Sequence, residues 1–213
     1  SLYEIYDILN QPEEKIWRAK INISQEEFKI ITTFDPDVKL RFGNPTLNPF
    51  YKFNVQDFIR YAGISREQLT ELLSTKFNPN ISKITVYKLS IPDEIQNFPE
   101  IIRIRNIPDF DFIHRFIRLW KKTTWSISEL DLILTALKDA DMITPDLSKQ
   151  AISNVSQLLD IQERLHLTVE ELCTTFHFMP TWKDFSEHPD RQKDWKLFER
   201  TFDVRKLFGE DEN

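Results

Sequence analysis

The chain has 213 residues, 40% hydrophobic and 29% charged, with a single cysteine, three glycines and a formal net charge of −6. A compact fold of that length buries about 70 to 75% of its unfolded surface, so a core forms without covalent staples; the lone Cys173 excludes an internal disulfide framework, and scarce glycine argues against Gly-rich phosphate loops and many-turned β architectures. The acidic balance sets the chain against bulk nucleic acid and anionic membranes, and no apolar run approaches the ~20 residues that span a bilayer.

The N-terminal residues Ser1-Leu2-Tyr3-Glu4 lack the basic and apolar regions of a signal peptide, and with no initiator methionine the chain is expected to be a piece cut from a longer one. A first helix is expected from Leu2 to Leu9, and a second, short one from Pro12 to Ala19. Ser24-x-x-Glu27 opens a third, from Gln25 to Thr33. From Asp35 to Pro49 the text is loop-like, broken by Asp35-Pro36, Gly43-Asn44-Pro45 and Asn48-Pro49, and it marks the clearest internal joint.

Asn54 is placed to cap a helix carrying Val55, Phe58, Ile59 and Ala62 on one face, with Gly63 in the left-handed position that ends it. Ser65-x-x-Gln68 starts the next, running to Ser74. The β-branched run from Ile81 to Ile91 and the stretch 100 to 106 read as a β-hairpin. A long apolar-faced helix follows from Asp109 to Lys122, and Ser126-x-x-Glu129 begins its partner, ending near Lys138. Thr144-Pro145 reads as the start of a helix from Asp146 to Leu165. Thr168-x-x-Glu171 opens the last strong helix, to Phe176; beyond it lie Pro180, Pro189, a weaker pattern of Trp195, Leu197, Phe198 and Phe202, and an acidic tail expected to be disordered.

Four of these helix starts share one phrase: apolar, Ser or Thr, two variable residues, Glu or Gln, apolar. The hydroxyl can accept from the third helical amide while the acid or amide side chain reaches back, and the flanking apolar pair can close as a staple. Their hydroxyl residues are spaced 41, 61 and 42 apart, near the period of two-helix repeats, with the long interval filled by the hairpin. The expected fold is mainly α, an irregular bundle of paired antiparallel helices with one inserted β-hairpin. Its expected divisions are an N-terminal segment and loop (1–48), a helical module with the hairpin at 81–106 (49–207), and the tail (208–213).

Arg115-Phe116-Ile117-Arg118-Leu119-Trp120-Lys121-Lys122 with Trp125-Ser126-Ile127-Ser128-Glu129-Leu130-Asp131 resembles the "RFIRLWRK...W(S/T)..ELD" stretch of insecticidal Tc toxin A subunits. Leu158 to Leu172 is similar to that family's "L..LQ.RL.LS.EEL", Met179-Pro180-Thr181 with Leu197 to Phe202 to its "IPT...LY.RLF", and Pro49-Phe50 with Phe53 to Tyr61 to its "LPFDL..EE.R.YL". The resemblance covers roughly residues 49 to 207. It implies a non-enzymatic helical shell module of a large, secreted or cell-surface bacterial toxin subunit. The partners it implies are sister protomers of a homopentamer and a host cell-surface receptor, and the full subunit would translocate a toxic cargo. A chain of 213 residues does not itself contain a channel. The alternative reading is a stand-alone helical protein-interaction module.

No catalytic constellation stands out, and no cofactor or metal is expected. Cys173 and His177 fall four apart and could pair as nucleophile and base, but Cys173 lies within an apolar helical pattern and no second ligand pair has metal spacing. His114, His166 and His188 are isolated. Asp109 and Asp111 read as helix-start acids, and Phe112, Phe116, Trp120 and Trp125 as core. The two helices around Gly63 outline a helix-turn-helix, but Gln68 to Ser74 lacks the basic residues of a recognition helix, so no nucleic-acid partner is expected. Arg115, Arg118 and Lys122, at i, i+3 and i+7, form a basic stripe. They are the candidate protein-interaction residues, as a solvated face or as a contact to an acidic helix.

Overall fold

The computed structural model describes residues 13–42, 51–88, 99–104 and 106–176. The expected helix at 2–9, strand residues 89–91 and everything after Phe176, including His177, His188 and the acidic tail, lie outside the described residues.

The architecture is mainly α with a small antiparallel sheet. In chain order come α1 (Glu13–Lys20), α2 (Gln25–Thr32), a 3-10 helix (Val38–Phe42), β1 (Tyr51–Asn54), α3 (Val55–Ala62), α4 (Arg66–Leu73) and a short 3-10 turn (Ile81–Lys83). Then follow β2 (Thr85–Lys88), β3 (Glu100–Ile104), α5 (Ile107–Trp120), α6 (Ile127–Asp139), α7 (Lys149–Leu165) and α8 (Val169–Thr174). α5 occupies the middle and packs against α2, the 3-10 helix and β3; α6 packs on α4, α7 and α8, and α1 lies along α7.

All four capping phrases start helices where expected. Ser65, Ser126 and Thr168 each form the full reciprocal box with Gln68, Glu129 and Glu171. Ser24 accepts from the Glu27 amide, while the Glu27 carboxylate is taken by Arg118 at 3.0 Å. Each box satisfies two amides that would otherwise lack a partner at the helix end. The double change Ser126→Ala with Glu129→Ala should therefore lower stability by about 1 to 2 kcal/mol; an unchanged thermal midpoint would count against the box.

The hairpin is present, its first strand beginning at Thr85 rather than Ile81, and it is joined by a third strand. β2 pairs with β3 from Thr85↔Arg103 to Lys88↔Glu100, and β1 pairs with the other edge of β3 from Tyr51↔Ile104 to Asn54↔Ile101. Ile102 and Ile104 on one face of β3 are fully buried, as the two-residue period requires. Ile81 to Lys83, expected as strand, turn instead as a 3-10 helix. The expected loop from Asp35 to Pro49 is also partly ordered inward: Val38 and Phe42 are buried, and Phe42 stacks on Phe58 at 5.1 Å and lies 4.6 Å from Phe110.

The start of α7 differs from the Thr144-Pro145 reading. The helix begins three residues later than expected, at Lys149, capped by the Ser148 hydroxyl, which accepts from the Ala151 amide. Asp146 is instead drawn to Arg115 at 2.8 Å. α5 begins two residues earlier than expected, capped by Asn106 with Pro108 in its first turn.

Gly63 ends α3 at φ 61°, and the Lys121 ammonium donates to the Ala62 carbonyl at 2.6 Å, a cation at the negative end of the helix. A Cβ on Gly63 would stand 2.9 Å from Lys121 Nζ as well as occupy a left-handed backbone. Gly63→Ala should cost about 1 to 2 kcal/mol, read as a lower urea midpoint at unchanged m-value.

Candidate functional site

Among the described residues, a group of linked charges lies where α2 and the 3-10 helix meet α5. The apolar periodicity of α5 buries most of its circumference, from Asp109 through Ile117, and carries polar residues inside with it. Asp111 is fully buried and Arg115 is 5% exposed. One turn apart on the helix, they pair at 2.6 Å, Arg115 Nε donating to Asp111 Oδ2.

Both groups also reach other segments. The second oxygen of Asp111 accepts from the Asp35 amide at 2.9 Å, fixing the turn that leaves α2. The two terminal nitrogens of Arg115 donate to the Ile31 carbonyl at 3.3 Å and to Asp146 at 2.8 Å. Asp35 in turn accepts from Arg41 at 2.7 Å and from its own Asp37 amide. One guanidinium thus ties α2, α5 and the segment before α7 together. Burial pushes the Asp111 carboxyl above its ordinary value, against the pull of the Asp35 amide and Arg115.

Next along α5, Arg118 bridges outward and inward. It donates from Nε to His114 Nε2 at 2.9 Å and from a terminal nitrogen to Glu27 of α2 at 3.0 Å. His114 is 7% exposed, its ring edge-on to Phe42 at 5.8 Å. Burial, then the nearby Arg118 and Arg41, hold its imidazole down to about 4. Its Nε2 lone pair is already committed to Arg118, so His114 has no free base to offer a substrate.

A second polar latch joins α6 to the chain that leaves α4. Asp131 of α6 accepts from the amides of Lys76 (2.9 Å to Oδ2, 3.0 Å to Oδ1) and Phe77 (2.9 Å), capping the chain as it leaves α4. Burial raises its carboxyl, with the two amides opposing. Nearby, Glu71 of α4 accepts from both the amide and the hydroxyl of Ser128.

The sequence-derived candidates are placed as follows. Arg115, Arg118 and Lys122 do not form a surface stripe: Arg115 is buried in ion pairs, Arg118 is one-third exposed and spans to Glu27, and only Lys122 stands in solvent. Arg118 meets Glu27 of α2 within the molecule. Asp109 is a first-turn acid as expected, but Asp111 is a buried ion-pair partner. Burial pushes the Cys173 thiol up to about 12, with Glu170 adding to it, so the thiolate is scarce at neutral pH. Phe112, Phe116 and Trp125 are buried, and the Trp120 indole donates to the Trp125 carbonyl. Among the described residues no group of three or more His, Cys, Asp or Glu is arranged to hold a metal ion.

Glu27, Asp35, Asp131 and Asp146 were not legible as functional residues in the sequence. Their partners stand 31 to 91 positions away, beyond any local pattern.

Fold and site together define a helical module whose buried charges bind backbone and one another. No protein-family model matches this chain, and no solved structure does either. It is 26% identical over 229 aligned positions to a glutamate–tRNA ligase of Mycoplasmopsis pulmonis (strain UAB CTIP), a stretch taking in 91% of this chain and 49% of that protein. The chain therefore spans about half the length of the curated relative it matches. Identity at that level does not place the chain in the ligase family. It does overturn the toxin-shell expectation: the sequence similarity found is to a tRNA ligase and not to a Tc toxin A subunit. The pentamer, host receptor and secretion that were attached to the toxin reading lose their basis with it.

Proposed function

We propose that this chain is a non-catalytic scaffold module, a rigid helical body whose buried polar chemistry serves its own architecture. The observation that carries the reading is the use made of the buried charges. Asp111, Asp131 and Arg115 spend their hydrogen bonds on the Asp35 amide, the Lys76 and Phe77 amides, and the Ile31 carbonyl. A catalytic acid or base needs a lone pair or proton directed at a substrate, whereas these groups are directed at backbone. No helix of the described residues is long and apolar enough to cross a membrane.

One observation favours a second reading. The 26% identity to a glutamate–tRNA ligase raises contact with tRNA; the net charge of −6 and the internal use of Arg115 and Arg118 speak against it. Titrating labelled tRNA with the protein at 50 and 200 mM salt separates the two. The scaffold reading expects no saturable binding at either salt. Saturable binding that weakens steeply with salt, as phosphate contacts require, would overturn it in favour of the tRNA reading.

A further inference from the structure

Among the described residues, His114 is the buried imidazole at the junction between the α2/3-10 segment and α5, and its hydrogen-bond arrangement admits only the neutral form. Nε2 accepts from Arg118 Nε, so it carries no proton and the neutral ring's hydrogen sits on Nδ1. Nδ1 is buried without a hydrogen-bond partner. The charged groups acting on the ring are Arg115 and Arg118 from α5, Arg41 from the 3-10 helix and Asp35 from the turn before it; Glu27 of α2, Asp111 and Asp146 act behind the arginines. Arg118, Arg41 and Arg115 disfavour a proton on the ring, and Asp35 favours one.

We propose that His114 is an acid-sensitive pin whose protonation releases residues 25–42 from α5. A proton taken from solvent onto Nε2 turns the acceptor into a donor, so the Arg118 Nε–H and the new ring N–H oppose each other. Arg118 must then swing away or lose its hold on Glu27, which ties α2 to α5. Phe42, edge-on to the same ring, marks the other end of the segment.

The sign follows from linkage. The imidazole is held down to about 4 in the folded chain against an ordinary 6.5, so the unfolded chain binds more protons between those values. The contribution of the neutral ring is complete above about 6.5 and is lost progressively as pH falls toward 4. Asp111, whose carboxyl is raised, shifts stability the opposite way on acidification, and Asp35, whose carboxyl is lowered, the same way. The wild-type profile alone therefore mixes several groups, and a His114 variant isolates the ring.

The test is hydrogen exchange of the full chain at pH 7 and pH 5, corrected for intrinsic rates, for the wild type and for His114→Gln, whose side-chain oxygen can still accept from Arg118 but does not titrate. Expected is a loss of protection on the order of tenfold across 25–42 in the wild type at pH 5, with α6 (127–139) little changed, and no such loss in the variant. Equal losses in wild type and variant, or no loss in either, would overturn the proposal. Should the variant not fold, the wild-type ring titration followed by NMR decides: a His114 midpoint well below 6 supports the pin, and one at or above 6.5 overturns it.

Discussion

Replacing Asp111 with alanine should destabilise the chain by about 3 to 5 kcal/mol, the range for removing one partner of a buried ion pair. Two losses combine in that figure. Arg115, 5% exposed, keeps Asp146 but loses the fully buried carboxylate at 2.6 Å; and the Asp35 amide loses its acceptor, which frees the turn after α2. A net stability of 5 to 15 kcal/mol leaves little margin for a change of this size. Urea denaturation at pH 7 measures it, and a loss below about 1 kcal/mol would show that the pair is dispensable.

The second large effect is expected at Asp131. Its carboxylate is the acceptor for both the Lys76 and Phe77 amides, and Phe77 is a fully buried side chain at the head of the turn leaving α4. Asp131→Ala orphans the part-buried Phe77 amide, at a cost of about 1 to 3 kcal/mol, and takes the acceptor from the exposed Lys76 amide, at about 0.5 to 1.5 kcal/mol. The combined expectation is a loss of about 2 to 4 kcal/mol. Asp131→Asn keeps one acceptor oxygen and should fall between the parent and the alanine variant. If Asn and Ala behave alike, the amides are not what Asp131 serves. Amide exchange at Lys76 and Phe77 should accelerate in the alanine variant ahead of the rest of α4.

These two carboxylates show where sequence reading stops. Helix starts were legible because a capping phrase is local: Ser65, Ser126 and Thr168 meet their partners within three residues, and the structure closes all three boxes. The left-handed Gly63 and the cap at Asn54 were legible for the same reason. The hairpin was legible in its β-branched run, but β1 was not. Tyr51 to Asn54 is four residues long, sits beside prolines and becomes a strand only because β3 offers it a free edge.

Thr144-Pro145 misled by the same local logic. A hydroxyl followed by proline is a sound helix start in isolation, yet Asp146, which would have been in the first turn, is held by Arg115 from 31 positions away, and Ser148 supplies the cap instead. The basic stripe failed likewise. Spacing put Arg115, Arg118 and Lys122 on one face, but α5 is buried nearly all round, so the face that carries Arg115 is interior. Charge periodicity identifies a common face and is silent on whether that face meets water or another helix. The first capping phrase deviates for a related reason, since Glu27 answers Arg118 rather than reaching back to its own helix start.

If the buried charges are there to hold the fold, Asp111 and Arg115 must depend on each other, and a urea double-mutant cycle with Asp111→Leu and Arg115→Met measures that dependence directly. Each single change is expected to cost several kcal/mol, the double variant to recover part of the loss, and the coupling to exceed about 1.5 kcal/mol. Additive costs, with coupling near zero, would contradict it.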